Sequence, residues 1–289
     1  MIVIRKSIGG ALVYDCLNTG GVRGVIPCMF IHLSLLIAQY SYYTPGGAGA
    51  HSGGGMYDSW TLLGLALLVL TGIIGAVVQS RMQARMKEYS AQSARLTGAQ
   101  VAREMLDSYG LRDVQVTHVP GQLTDHYNPA NRTVNLSDTV YSQATVAAAA
   151  VAAHECGHAV QHAQAYPWLG LRSELVPLVN IGSRLGQVLL MVGLILAGAG
   201  SGTTVAWVGL ALFACTTVFA LVTLPVEFDA SRRALAWLGR ADDVSPAMHA
   251  QAGTALRWAA MTYVAAALSS IAMLVYYALI LLSRGNSRR

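Results

Sequence analysis

The chain has 289 residues, which could form one or two soluble domains, but 54% of them are hydrophobic and only 11% are charged. Ordinary globular proteins carry about 25% charged residues, so this composition excludes an ordinary soluble protein and predicts an integral membrane protein. The net charge of +5 comes without a basic face of interleaved aromatic residues, which argues against nucleic-acid binding and makes the charge a signal of membrane topology.

The first 55 residues are predicted to be an N-terminal extension. Residues 25–43 are apolar but interrupted by polar residues and a proline, so they fit either a marginal membrane span or a signal sequence. Residues 44–55 have the glycine-rich composition of a flexible linker. A cleaner pattern opens at Met56, which we interpret as the natural start of the protein.

The first clear membrane span is predicted at residues 60–78. These 19 residues carry no charge, and at ~1.5 Å per residue they cross most of a hydrocarbon core of ~30 Å. Residues 79–110 then have an amphipathic helical pattern. It is broken at residues 96–98, where Thr97 or Gly98 is expected to cap the next helix.

Two short strands are predicted next, at residues 114–119 and 133–136, because both segments are short and rich in Val and Thr. The connecting residues 121–132 are rich in turn formers, so the strands are expected to form a small β-hairpin. Within the connection, Asp125 and Asn128 are interpreted as ordinary turn residues.

An H-E-x-x-H motif follows at residues 154–158. His154 and His158 lie one turn apart on one helix face, so both imidazoles can reach one zinc ion. Glu155 is then placed beside the open coordination position, where it can act as a general base. Six of the eight residues at 146–153 are alanine, which favours a helix. The alternative, two histidines on a buried helix without metal, is ranked below the zinc interpretation.

A catalytic zinc site usually needs a third protein ligand. His162 shares the helix face but lies ~12 Å along the axis from the first histidine, too far for bonds of about 2 Å. The better candidate is Glu227, a carboxylate at the end of an apolar run that would be costly without a partner. The alternative for Glu227 is an ion pair with Arg232 or Arg233.

The three other predicted spans are residues 181–200, 205–224 and 258–282. The first two are expected to form a membrane hairpin, and the alternative is a re-entrant unit with fewer spans. With a hairpin, the segments on either side of it, residues 79–180 and 225–257, are expected to face the same side. Together with residues 181–186 these two segments hold 13 of the 19 Lys and Arg residues, which predicts that they are cytoplasmic. The basic tail, residues 283–289, would then lie outside, against the rule.

A resemblance to a known family rests on four stretches that occur in this order: MYDSW, GQLTDHYNP, HECGHAVQH and LPVEFDASRRAL. Residues 56–282 resemble the bacterial YugP-like neutral zinc metallopeptidases, and are more distantly similar to HtpX-type membrane proteases. The resemblance implies one Zn²⁺ per chain, held by His154, His158 and Glu227, with Glu155 as general base.

One position departs from the HtpX-type pattern, in which an aspartate follows the glutamate ligand by four residues. Here that position is Ser231, and Asp229 is expected to point to a different face of the helix. Ser231 and His162 are therefore candidates for supporting the ligands from outside the coordination sphere.

Four further residues are candidates for contacts with substrate or with a developing oxyanion. They are His126 and Tyr127, in the loop before the motif, and Arg232 and Arg233, after Glu227. The alternatives are ordinary turn chemistry for the first two and a helix-surface or lipid-headgroup role for the two arginines.

The predicted fold is an all-α integral membrane protein with a small β-hairpin, a zincin-like metal helix and a second helix carrying the glutamate ligand. The resemblance implies a zinc-dependent endopeptidase of the bacterial inner membrane, with lipid bilayer and peptide or protein substrates, membrane proteins among them, as its partners. One alternative is a non-peptidase zinc protein that acts as scaffold or regulator. A weaker one is proteolysis within the bilayer, which would require the metal helix itself to be a span.

Overall fold

A computed structural model describes residues 59–198 and 201–286. The predictions for residues 1–58 and for the last residues of the basic tail lie outside these residues. The helices are α1 (Ser59–Ser90), α2 (Gly98–Ser108), α3 (Asp138–Ser142), α4 (Val146–Ala163), α5 (Pro167–Gly198), α6 (Thr203–Leu238) and α7 (Pro246–Asn286). The strands are β1 (Gln115–Val119), β2 (His126–Asn128) and β3 (Thr133–Ser137).

Four helices, α1, α5, α6 and α7, are long and apolar enough to cross a membrane, by length and composition. Their number agrees with the four spans predicted after Met56, but the helices are longer than the predicted spans. α5 begins at Pro167 rather than near residue 181, and α7 begins at Pro246 rather than at residue 258. Hydropathy detects only the part of a helix that suits hydrocarbon, so the polar turns that continue each helix were not assigned to it.

Glycines bring the backbones of α5 and α6 into contact. A Cβ atom on Gly193 would lie 2.2 Å from the backbone nitrogen of Ala206, and one on Gly209 would lie 2.3 Å from that of Leu190. Small residues at such contacts are typical of helix pairs in membranes, where burial away from lipid gives no driving force. A side chain at either position would displace α6 from α5.

α4, which carries the H-E-x-x-H motif, is surrounded by other elements. Thr145 caps it by accepting a hydrogen bond from the backbone of Ala148. Its alanines pack in a core with side chains from other helices, mainly α2, α6 and α7, among them Met105, Leu106, Ala234, Leu238, Ala252 and Ala255. Because alanine has a short side chain, these helices can approach α4 closely.

The two segments predicted to face the same side of the membrane pack together. α4 lies against α6 and α7, and Arg95 forms an ion pair with Asp243 between the α1–α2 and α6–α7 connections. The break between α1 and α2 is also as predicted, since Thr97 caps α2 in a capping box with Gln100. The structure thus gathers the sequence-distant segments at one end of the long helices.

The predicted β-hairpin is wrong in its pairing. β1 and β3 run parallel, with Gln115 opposite Thr133, whereas a hairpin would make them antiparallel. β2 lies in the segment that was predicted to be only a loop, and it pairs antiparallel with β3 to give the sheet order β1-β3-β2. The tight reversal therefore connects β2 to β3, through Arg132 in the left-handed conformation with φ of 54°.

Turn chemistry explains only part of this connection. Asn128 does accept a hydrogen bond from the backbone of Ala130, 3.0 Å away, as expected of a turn residue. The carboxylate of Asp125 instead accepts hydrogen bonds from the backbone N–H and the hydroxyl of Ser137, at 2.7 and 3.0 Å. This long-range contact ties the connection to the end of β3, and residue types alone do not reveal it.

Candidate active site

α4 and α6 cross in backbone contact at Gly157, inside the H-E-x-x-H motif. A Cβ atom at Gly157 would lie 2.6 Å from the carbonyl oxygen of Ala230, closer than real Cβ atoms come. The neighbouring Cys156 points the other way, and its thiol donates to the carbonyl of Ala102 on α2. The crossing therefore sets the motif histidines directly against the turn of α6 that carries Glu227 and Ser231.

Three side chains at this crossing form a group that could hold a metal ion. One ligand atom each from His154, His158 and Glu227 lies within 4.8 Å of the others. The Nε2 atoms of His154 and His158 are 3.3 and 3.8 Å from Oε2 of Glu227, and the glutamate side chain is only 3% exposed. The structure therefore brings together the three residues that were predicted from the sequence to be the ligands.

The donor set fits zinc. Two imidazole nitrogens and one carboxylate oxygen are the protein ligands of many catalytic zinc sites, which keep a fourth position for water. Bonds of about 2 Å require ligand atoms to be about 3–4 Å apart, and the two separations from Glu227 meet this requirement. A buried carboxylate against two imidazoles also provides the negative charge that a divalent cation needs.

Glu155, the predicted general base, is buried beside this group. Its Oε2 accepts a hydrogen bond of 3.0 Å from the backbone N–H of Tyr127 in β2. Burial, partly offset by the attraction of His154, raises the pKa of Glu155 to about 7. This value belongs to the metal-free site, and the charge of a bound divalent cation would lower the pKa of Glu155 and favour its carboxylate form, the form that can accept a proton.

Ser231 occupies the place where HtpX-type enzymes have an aspartate. Its hydroxyl lies 3.2 Å from Nδ1 of His154, the ring nitrogen that faces away from Glu227. A hydrogen bond at Nδ1 holds the orientation of the ring and leaves Nε2 for the metal. Ser231 thus has the geometry expected of a residue that supports a ligand from outside the coordination sphere.

His158 is held in a different way, by a residue that was not selected from the sequence. Its Nδ1 lies 3.0 Å from Oε1 of Gln161, one turn further along α4. The amide nitrogen of Gln161 in turn contacts the backbone carbonyl of Val226 and the carboxylate of Asp229, both on α6. Asp229 does lie on a different face from Glu227, yet it reaches the site through Gln161.

Arg172 on α5 is the second residue that was missed. Its guanidinium donates to Oε1 of Glu227 over 2.9 Å, so the ligand carboxylate contacts an arginine through one oxygen and the histidines through the other. The predicted alternative was an ion pair of Glu227 with Arg232 or Arg233. The structure shows Glu227 in an ion pair with Arg172 instead. α5 reaches this point because its helix starts at Pro167, well before the predicted span.

Arg232 and Arg233 form ion pairs with Asp229 and do not contact the metal group. Arg232 donates to Oδ1 of Asp229 over 2.7 Å, and its side chain is 73% exposed. Arg233 donates to Oδ2 of Asp229 and to the side chain of Gln164. In this geometry both guanidinium groups are engaged with the carboxylate that holds Gln161.

The remaining candidates lie along β2. The hydroxyl of Tyr127 and Nδ1 of His162 are 2.8 Å apart, which joins β2 to the end of α4 and keeps His162 off the metal group. Nδ1 of His126 contacts the backbone carbonyl of Thr124, and the ring lies at the surface. Of the two residues, Tyr127 is the one that touches Glu155.

Signals for Gln161 and Arg172 were present in the sequence. Gln161 follows His158 by three residues, a spacing that puts both side chains on one helix face. Arg172 is a charged residue in a chain of which only 11% is charged, which makes each charge a candidate for a specific contact. The sequence does not show which site residue each of them contacts, because these contacts depend on how α5 and α6 pack against α4.

Comparisons with known proteins identify the family of the chain. The family described as "Putative neutral zinc metallopeptidase" matches residues 64–282. The chain is 40% identical over 208 residues to "Putative membrane protease YugP" of Bacillus subtilis, an alignment that covers 71% of this chain and 90% of the relative. No solved structure matches the chain significantly. The chain therefore belongs to the YugP-like family of neutral zinc metallopeptidases.

Proposed function

We propose that this protein is a multi-pass, zinc-dependent endopeptidase of the bacterial cell membrane, with one zinc per chain. The observation that carries the proposal is the group formed by His154, His158 and Glu227, with Glu155 buried beside it. A purely structural metal site would not need a carboxylate next to the open coordination position. Glu155 therefore favours an enzyme over a scaffold or regulator.

Each site residue has a defined task in this mechanism. Zinc, when bound, would polarise the scissile carbonyl and lower the pKa of its water to about 7. Glu155 accepts a proton from the attacking water as the new carbon–oxygen bond forms. It then delivers this proton to the leaving amine as the carbon–nitrogen bond breaks. The backbone N–H of Tyr127 holds one oxygen of Glu155, which leaves the other free for the proton.

The substrate is proposed to bind along β2, an edge strand of the sheet. The backbone N–H of Tyr127 points from β2 towards Glu155 and α4, so this side of the strand adjoins the metal group. An extended peptide can add to such an edge through a main-chain hydrogen bond to the carbonyl of Tyr127, since the N–H of Tyr127 is already donated to Glu155. His126 and Tyr127 would then line the substrate.

The active site is proposed to face the cytoplasm, at the surface of the lipid bilayer. The positive-inside distribution of Lys and Arg supports this orientation, because 13 of the 19 lie in or next to the two segments that form the site. α4 is not among the four helices that are long and apolar enough to span a membrane in the described part of the chain. This favours an interfacial site over proteolysis within the bilayer.

The test uses two substitutions in the full-length protein, with peptide or casein hydrolysis and zinc content as readouts. Glu155→Gln keeps the shape of the side chain but cannot accept the proton, so hydrolysis should fall by about 10²–10⁴-fold while one zinc stays bound. Glu227→Ala should lower the zinc content itself. Turnover retained by Glu155→Gln would refute the mechanism, and full zinc content in Glu227→Ala would move the third ligand elsewhere.

A further inference from the structure

We propose that Gln161 is the positioning residue for His158, and that Asp229 in turn fixes Gln161. The inference rests on the proposed function, since it concerns a ligand of the same metal site. It is carried by hydrogen bonds that run from the His158 ring on α4 to the carboxylate of Asp229 on α6.

The orientation of the Gln161 amide is determined by its neighbours. Its Nε2 lies 2.8 Å from the carbonyl oxygen of Val226 and 3.0 Å from Oδ2 of Asp229, and both of these atoms only accept hydrogen bonds. A flipped amide would set its oxygen against two acceptors in a fully buried position, which is costly. The amide NH₂ must therefore face α6, and Oε1 must face His158.

This orientation determines which nitrogen of His158 carries the proton. Oε1 of Gln161 can only accept, so Nδ1 of His158 must donate to it across the 3.0 Å contact. A neutral imidazole with its proton on Nδ1 has its lone pair on Nε2. That nitrogen is the one that lies 3.8 Å from Oε2 of Glu227, within the metal group.

Asp229 is kept in place by the two arginines that follow it. Arg232 and Arg233 donate to different oxygens of its carboxylate, and Asp229 itself is buried. The two arginines thus act on the site through Asp229 and Gln161, at a distance from the reacting atoms. Whereas Ser231 contacts His154 directly, the support of His158 passes through two side chains.

The test compares zinc affinity with fold stability in the full-length protein purified in detergent. Gln161→Met removes the acceptor at similar length, whereas Gln161→Glu keeps an acceptor for His158 but places a second carboxylate against Asp229. Zinc dissociation constants come from competition with a chromophoric chelator, and melting temperatures from the metal-free proteins. Gln100→Met is the control, because it removes the capping contact of Gln100 with Thr97 on α2, away from the site.

A positioning role predicts that the two properties separate. Gln161→Met should weaken zinc binding by about 10–100-fold, as loss of an outer hydrogen-bond partner typically does. Gln161→Glu should have a lower melting temperature than Gln161→Met. It should nevertheless bind zinc more tightly than Gln161→Met, because it keeps an acceptor for His158. A purely structural role predicts the opposite order, with zinc affinity following the melting temperature, and this order would overturn the proposal. Wild-type zinc affinity in Gln161→Met would overturn it as well.

A second variant serves if Gln161→Glu does not fold. Combining Gln161→Glu with Asp229→Asn exchanges the two groups, so the new amide can donate to the new carboxylate while His158 keeps its acceptor. Only the contact with the carbonyl of Val226 is then left without a donor. This double variant should bind zinc more tightly than Gln161→Met, and weaker binding would contradict the proposal.

The result is distinguishable from failure of the proposed function. If wild type binds one zinc that Glu227→Ala loses, but hydrolyses no peptide, the endopeptidase fails while the role of Gln161 is still decided by the affinities.

Discussion

At the scale of single residues, each of the three candidate ligands is held by a hydrogen bond at an atom other than the one that faces the metal group. Ser231 contacts His154, Gln161 contacts His158, and Arg172 contacts Glu227. The motif and the downstream glutamate could be predicted from the sequence because their spacing and charge carry a chemical signal. Gln161 and Arg172 could not be paired with the ligands, since each pairing depends on how two helices pack.

Ser231 offers the first prediction at this scale. Ser231→Ala removes the hydrogen-bond partner of Nδ1 of His154, so zinc should bind about 10-fold more weakly. Ser231→Asp restores the HtpX-type residue, and its carboxylate should make the imidazole a stronger ligand and tighten zinc binding. Chelator competition measures both. Unchanged affinity in Ser231→Ala would show that the hydroxyl has no supporting role.

The ion pair between Arg172 and Glu227 gives a second prediction. Arg172→Met leaves the buried carboxylate without its arginine, and breaking such a pair costs on the order of 3 kcal/mol. The metal-free variant should therefore melt at a lower temperature than wild type. Bound zinc supplies a positive charge again, so the rise in melting temperature on adding zinc should be larger in the variant.

The control for this comparison is Arg85→Met, which removes an exposed ion pair with Glu88 on α1. Exposed pairs contribute about 0–1 kcal/mol, so its melting temperature should stay close to that of wild type. Equal melting temperatures for metal-free Arg172→Met and wild type would contradict the importance of the buried pair.

At the scale of elements, the site depends on one helix crossing and one edge strand. The crossing of α4 and α6 could not be predicted, because Gly157 appears in the motif only as an unspecified residue. The sheet was mispredicted for a related reason, since β2 has three residues and is recognised only by its pairing with β3. Helix type and capping were predictable because they depend on local sequence.

Gly157→Ala tests the crossing. The added methyl group would lie 2.6 Å from the carbonyl oxygen of Ala230, so the two helices must separate and carry Glu227 away from the histidines. We expect a loss of about 1–3 kcal/mol in stability, as for other overpacked sites, together with weaker zinc binding.

Gly170→Ala is the matched control for this substitution. Nothing lies within 4 Å of a Cβ atom at Gly170 in α5, and alanine is the better helix former. It should leave zinc affinity unchanged and slightly raise the melting temperature. If Gly157→Ala behaved in the same way, the close crossing would not be required for the site.

At the scale of the whole molecule, four long apolar helices bring distant parts of the sequence to one end. Composition predicted a membrane protein, and the uncharged apolar runs predicted four spans, the number of described helices that are long and apolar enough to cross a membrane. The lengths of the helices were underestimated because their polar ends carry no hydropathy signal, and it is the polar end of α5 that contributes Arg172. Hydropathy therefore predicts the apolar part of each helix well and its polar end poorly.

The central claim, a zinc endopeptidase, is tested most directly by titrating zinc into the metal-free, full-length protein while following peptide hydrolysis. The claim predicts no hydrolysis without metal, a linear rise that ends at one zinc per chain, and no rise with Glu155→Gln although it binds the same amount of zinc. Hydrolysis that persists in the metal-free protein, or that is equal in wild type and Glu155→Gln, would contradict it.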